Sequence, residues 1–460
     1  MRALNVPSDY PMATPDKPAG KRHPVLLVAT LIGLHIDIAA ALPEGSIPNV
    51  LAAVPGLLLF ASHLDKLPAR FLAAVVAMTS FFFLSAVYAI GIQGGGAGPF
   101  IAIGLLLYSV AIATGVYIDL SLRSMDQTRR VAGWLVSGML VFAILETYTP
   151  VQQFALWFGQ YYSFDINIDR DLFTFGGYRP RLLTSEPSRA AIGLATAMGV
   201  WVLCIRRWDP ISLGKLGFFT LIALYVVRSP FVVLPAMLCG ARLTLWASGD
   251  ETRNAASMAG RFVMLLIATA GVMVLIVALL GTVFSTRIES FSAQSDWSVT
   301  VRTYGSVLAG WESSLQRPIF GTGLDNFDAG RAEIASTYRQ LGVPSYVTET
   351  DLLEISINNG FAVALIFFGF VGSAIYLWIW GGLMRSLAPL APALLRWFVL
   401  FCTWLSYSAI YSPSVLGMAF ILLAALQLAA RARIEDAGDD SGGLGAPLLQ
   451  AGTQPIGDGR

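Results

Sequence analysis

The sequence predicts an all-α polytopic integral membrane protein of about twelve membrane-spanning helices, with a large polar loop between the ninth and the tenth. Three observations carry that expectation. Hydrophobic residues make up 55% of the 460-residue chain and charged residues only 13%, against about 25% charged residues in soluble domains. Mean hydropathy is +0.66. The apolar residues fall in runs that match the roughly 17–25 residues a spanning helix needs. The net charge of +1, from 30 basic and 29 acidic residues, offers no polybasic surface for nucleic acid. Cys204, Cys239 and Cys402 lie inside apolar runs, where a thiol behaves as a small buried hydrophobe, and no disulfide framework or Cys-x-x-Cys metal site can be built from them.

In chain order, residues 1–24 are rich in proline, glycine and basic residues and read as a disordered arm. The next run carries His35 and Asp37 and has no small-residue cleavage site, so it reads as a retained helix. Apolar runs then place spans at 25–42, 47–62, 71–92, 99–119 and 131–148, a polar loop at 149–189, and further spans at 190–205, 212–227, 231–247 and 262–284. The large polar loop occupies 285–358, and the last spans fall at 359–384, 393–411 and 414–430. The end of the chain, 431–460, is rich in Gly, Ala and Asp and reads as a disordered tail. An even count puts both termini on one side. Short connections on that side hold Lys66, Arg70, Arg123, Arg129, Arg130, Arg206, Arg207, Lys215, Arg253, Arg261, Arg385 and Arg396, whereas the short connections opposite hold Arg228 alone. The positive-inside rule therefore makes both termini cytoplasmic and puts both long loops outside.

The candidate chemistry lies in those outside loops. The first ends in Tyr178-Arg179-Pro180-Arg181-Leu182-Leu183-Thr184-Ser185-Glu186-Pro187-Ser188-Arg189. Arginines at a membrane surface are often a solvated rim that meets lipid headgroups. Planar, permanently charged guanidiniums also clamp a phosphate or diphosphate bidentately, and on that reading Arg179, Arg181, Arg228 and Arg302 form a diphosphate-binding set. In the second loop, Glu349, Asp351 and Glu354 are candidates to take a proton from a sugar hydroxyl, with Glu186 as a rival. Acidic residues in a first helical turn also simply favour the helix dipole, and Thr348 or Thr350 is placed to cap such a helix. Trp297, Tyr304 and Trp311 are candidates to stack on sugar faces, a role that competes with interfacial anchoring.

Other patterns are discounted. Asp169-Arg170-Asp171 has a metal-binding form used by nucleotide-sugar enzymes, but it falls on the outside, where such donors are absent. Gly321-Thr322-Gly323 lacks the third glycine of a dinucleotide loop and reads as a turn. No histidine lies in a long loop, so neither a metal nor a cofactor is expected. His35 and Asp37, ionisable inside a span, remain notable.

The order of these parts resembles the superfamily of O-antigen ligases and O-antigen and exopolysaccharide polymerases. Its arginine before a Glu/Asn-Pro-Ser/Asn turn is matched by Arg179 or Arg181 with Glu186-Pro187-Ser188, and its Ser-Arg pair, in reversed order, by Arg228-Ser229. Its loop arginine and Pro-x-x-Gly-x-Gly-x-x-Phe turn are matched by Arg302 and by Pro318, Gly321, Gly323 and Phe327 with slightly different spacing. Its helix start is matched by Leu353-Glu354 and Asn359-Gly360. The likeness covers residues 150–370 by motif and the remainder by topology.

Ligases of this superfamily carry a His-Asn pair where this chain has Glu349-Thr350, which favours the polymerase branch. The resemblance implies a metal-independent glycosyltransferase of the bacterial inner membrane. It would act at the periplasmic face on an undecaprenyl-diphosphate-linked glycan, alongside a chain-length regulator and a flippase of the same pathway. A ligase onto lipid A core is the alternative within the superfamily, and a transporter or flippase for lipid-linked oligosaccharides is the alternative outside it. Ionisable residues sit mostly at loops rather than along a central path, which favours an interfacial enzyme.

Overall fold

A computed structural model describes residues 22–36, 38–42, 45–159, 178–184, 186–206, 209–246, 301–350, 352–357, 359–406 and 410–442. Among them six helices are long and apolar enough to cross a membrane. These are α3 (Ala69–Gly91), α4 (Gly98–Ser121), α5 (Met125–Tyr148), α8 (Pro210–Val227), α14 (Gly360–Leu387) and α16 (Pro413–Gly442). Shorter helices complete the bundle: α1 (Pro24–His35), α2 (Val50–Ala61), α6 (Val151–Gly159), α7 (Pro187–Leu203), α9 (Leu234–Trp246) and α15 (Ala393–Ser406). Between α9 and α14 the described chain forms a π-helical turn (Val301–Gly305), α10 (Ser306–Gln316), α11 (Arg331–Gln340) and the short α12 (Ser345–Thr348) and α13 (Leu352–Ser356). The expected ninth span, 262–284, lies outside the described residues, as do Asp37, Asp169-Arg170-Asp171, Trp297 and Asp351.

Two expectations are corrected. The first span does not run to residue 42: α1 ends at His35, Ile36 turns extended, and Ala40–Leu42 pairs antiparallel with Gly45–Ile47 in a two-stranded hairpin. Pro43 and Gly45 make this stretch a poor helix despite its apolarity. The last helix continues through 431–442, where a tail was expected. It is held there by Arg431 bonding the Ser121 carbonyl and by an Arg206–Asp436 ion pair.

Polar contacts fix the two ends of the bundle, charged ones at the proximal end and neutral ones at the distal end. At the proximal end, where α1 begins, the His23 amide and the Arg123 guanidinium both bond Asp119, with His63 3.6 Å from it. Asp119 and His63 are fully buried, and burial lowers the His63 pKa. Arg242, which the sequence places within a span, donates to the Val202 and Ile205 carbonyls and so caps the proximal end of α7. At the distal end Ser414 bonds Asn49, whose amide reaches the Leu34 carbonyl at 3.1 Å.

Helix α16 is the hub, with 94% of its most apolar stretch buried, whereas only 28% to 33% of that stretch is buried in α5, α3 and α8. It packs on α4, α7 and α15. Phe81 and Phe82 of α3, Phe368, Tyr376 and Trp380 of α14 and Trp404 of α15 form one aromatic cluster, with Phe81–Phe368 centroids 4.9 Å apart. Lipid tails are as apolar as these rings, so close packing rather than the hydrophobic effect holds them together.

The N-cap of α14 is Asn359, whose side chain accepts from the Ala362 amide at 2.7 Å. Thr350, expected as a cap, instead accepts from the Leu352 amide at 3.3 Å and starts the short α13. Asn359→Ala should lower stability by about 1 kcal/mol, the usual worth of a cap. A melting curve in detergent measures that loss.

Candidate functional site

The first arginine loop is held at the distal end by a residue that sequence reasoning passed over. Glu146, fully buried near the end of α5, accepts three hydrogen bonds from the loop: Tyr178 Oη at 2.7 Å, the Arg181 amide at 2.7 Å and the Leu182 amide at 2.9 Å. From α1, His35 Nε2 donates to the Leu182 carbonyl at 3.0 Å. The loop is thus gripped by two ionisable side chains from two helices. The available signal was an acid near the end of an otherwise apolar run, which is costly unless it has a task.

Within this grip the backbone is strained. Leu182 (φ 51°) and Leu183 (φ 64°) both occupy the left-handed region, at a cost of order 1–3 kcal/mol each for residues with a Cβ. The Thr184 hydroxyl closes the turn on the Arg181 carbonyl at 2.6 Å. Arg179 and Arg181 are only 8% and 5% exposed, so they are not a solvated rim. Two permanently charged guanidiniums are held out of water in one short loop.

Glu186 follows as the N-cap residue of α7, with Pro187 in the first turn. Its exposed carboxylate accepts from Ser188 Oγ at 2.8 Å. The Glu-Pro-Ser motif is therefore a helix start.

Arg228 terminates α8 in a left-handed conformation (φ 52°). Its charge reaches Tyr148, which also lies close to Tyr225 of α8. Glu146 and Tyr148 stand two residues apart on α5, so the Arg179–Arg181 loop and Arg228 both meet the end of this helix. An apolar groove of about 450 Å³ adjoins the loop. Its walls are Val131, Trp134, Leu135, Gly138, Met139 and Phe142 of α5, together with His35, Leu182 and Leu183.

The second set of candidates is at the same distal end but is less gathered. Arg302 lies in the π-helical turn before α10. Glu349 and Glu354 are both exposed, Glu354 on the outer side of α13, whose inner side buries Leu353 and Ser356. Tyr411, in the turn before α16, feels the Glu354 charge and donates to Asp325 Oδ1 at 2.5 Å. Burial pushes the Asp325 carboxyl pKa up, and the Tyr411 hydrogen bond opposes that shift. Asp325 is the other acid the sequence did not single out, because it sits inside a glycine-rich stretch read only as a turn.

Tyr304 and Trp311 are half-exposed, and Trp311 packs edge-on against Phe370 with centroids 4.7 Å apart. Neither faces the arginine loop through any contact among the described residues. No family model and no curated protein matches this chain.

Proposed function

We propose that this chain is a polysaccharide repeat-unit polymerase of the bacterial inner membrane, with twelve spans and both termini cytoplasmic. It moves a glycan from an undecaprenyl-diphosphate donor to a lipid-linked acceptor repeat unit at the periplasmic face. The observation that carries the reading is the loop of two buried arginines, fastened by Glu146 and His35 beside an apolar groove. Guanidiniums suit a diphosphate and the groove suits a prenyl tail, so one lipid-linked anion matches both.

On this reading the acceptor hydroxyl oxygen attacks the donor's anomeric carbon as the bond from that carbon to the diphosphate oxygen breaks. The diphosphate leaves with the electron pair, and Arg179, Arg181, Arg228 and Arg302 stabilise its growing charge. The hydroxyl proton passes to a carboxylate, with Glu354 and Glu349 the described candidates.

The direct test is to delete the gene and separate lipid-linked from surface glycans by size. Single repeat units accumulating outside the membrane support the polymerase. Long chains left on the carrier lipid point to a ligase, and units trapped on the inner leaflet point to a transporter. Arg302→Lys should stop polymer formation with membrane insertion intact, because an ammonium offers no planar fork. Normal chain length in that variant overturns the role of Arg302.

A further inference from the structure

The segment running from the π-helical turn through α10 to Phe320 was expected to lie outside, yet α10 exposes a stripe typical of a membrane helix, bordered by Glu312 and the exposed Gln316. Val307, Leu308, Trp311, Leu315 and Ile319 form one stripe, each between 37% and 56% exposed. The opposite side is built of small residues: Ser306, Ala309, Gly310, Ser313 and Ser314 are buried against α14 and its neighbours. At Gly310 a Cβ would stand 2.9 Å from the Ala362 carbonyl oxygen, and Ser314 Oγ bonds the Leu365 carbonyl at 2.8 Å. Small residues inward and large apolar ones outward is the pattern of helices packed inside a bilayer. A helix resting on a protein surface in water shows the reverse.

The path of the chain agrees. α10 descends beside α14, and its turn bonds the middle of that helix, with the Val371 amide on the Pro318 carbonyl and the Gly372 amide on the Ile319 carbonyl. The chain then climbs along α3, the Leu324 amide bonding Ser85 Oγ and the Asn326 amide group reaching the Ala89 carbonyl. Phe320 packs on Tyr88 of α3 at 5.4 Å, where Phe83, Leu84 and Val87 are exposed below it. On α14 the exposed Val371, Ile375 and Trp378 continue the same surface. Polarity changes sharply at the neighbouring α11, whose exposed face presents Ser336, Arg339 and Gln340. Arg317, at the bottom of α10, does not stay at the tip: its guanidinium reaches Glu333 of α11 at 3.1 Å, as a cation does when its stem lies in apolar surroundings.

We propose that α10 and the Arg317–Phe320 turn form a re-entrant foot, whose apolar stripe is seated in the hydrocarbon of the leaflet at the distal end. It is a lipid-binding surface that pins the long loop to the membrane, whatever reaction the chain performs. The occupant is lipid because the stripe is continuous with the exposed apolar faces of α3 and α14.

The test uses the full-length protein, whose three native cysteines are all buried. Leu308→Cys, Leu315→Cys and Ile319→Cys, with Arg339→Cys as the aqueous reference, are labelled in detergent with an environment-sensitive fluorophore. Each is then reconstituted in phosphatidylcholine–phosphatidylglycerol vesicles. Acyl-chain nitroxide lipids should quench positions 308, 315 and 319, and aqueous iodide should quench position 339. Iodide quenching at the first three positions equal to that at 339 overturns the foot. Protection from both quenchers also overturns it, because protein would then cover the stripe. Position 308 lies on the helix rather than in the turn, so a turn disturbed by substitution leaves the test readable.

Discussion

On the proposed polymerase reading, replacing Glu146 by alanine is expected to end chain elongation while the protein still inserts in the membrane. The carboxylate answers a phenol and two backbone amides at 2.7 to 2.9 Å in a fully buried position. Its removal leaves three donors unsatisfied, at roughly 1–3 kcal/mol each. That sum matches or exceeds what Leu182 and Leu183 need to stay left-handed, about 1–3 kcal/mol apiece. The loop should therefore relax, and Arg179 and Arg181 move with it. A displacement on the order of 1 Å at a reacting group costs about 100-fold in rate, so long chains should vanish and single units accumulate. Glu146→Gln keeps one acceptor oxygen for two of the donors but turns an amide NH2 toward the third, so an intermediate chain length is expected. The readout is the size ladder of extracted glycans, set against the amount of protein in the membrane fraction. Full-length ladders from the alanine variant sink the assignment of this loop.

Much of the scaffold is legible in the sequence because apolar runs of spanning length leave a chain few alternatives. The expected spans at 71–92, 99–119 and 359–384 correspond to α3, α4 and α14. The exceptions have physical causes. Residues 25–42 are apolar enough to span, but the Pro43 and Gly45 of the sequence disfavour a helix there, and after His35 the chain turns into a hairpin. The bundle then uses α1 and α2 as half-length elements, with Gly33 pressed against the Ala52 backbone. The long loop misleads in the opposite way. α10 is too short and too rich in serine for a hydropathy window to register, and only its neighbours reveal which face is apolar. At the site, the arginines could be found because guanidinium chemistry is specific to one residue type. The roles of Glu146 and Asp325 could not, since a carboxylate's role depends on which donors the fold brings to it.

The second large effect is expected at Gly321, where the re-entrant turn plugs a break in α14. Gly369 interrupts that helix at φ 64°, ψ −169°, which orphans backbone groups on both sides. The turn answers them: the Thr322 and Gly323 amides bond the Ile366 and Phe367 carbonyls at 2.8 and 2.9 Å, and the Pro318 and Ile319 carbonyls take the amides beyond the break. Such contact requires two backbones to touch. A Cβ on Gly321 (φ +56°) would stand 2.2 Å from the Ile366 carbonyl oxygen, and one on Gly369 would stand 2.5 Å from that of Arg317. Neither obstacle is a side chain that can swing away. Gly342 separates the two components of the effect, because it is also left-handed (φ +77°) but has nothing within 4 Å of its Cβ position. Gly342→Ala should cost only the backbone preference, about 1 kcal/mol. Gly321→Ala adds displacement of the turn and loss of several buried hydrogen bonds at roughly 1 kcal/mol each, for a total on the order of 4 kcal/mol, a large share of a typical folding free energy. Thermal unfolding of the two variants side by side in detergent tests this. Equal shifts would mean that the turn does not plug the break, and a much larger loss for Gly321→Ala is the expected outcome.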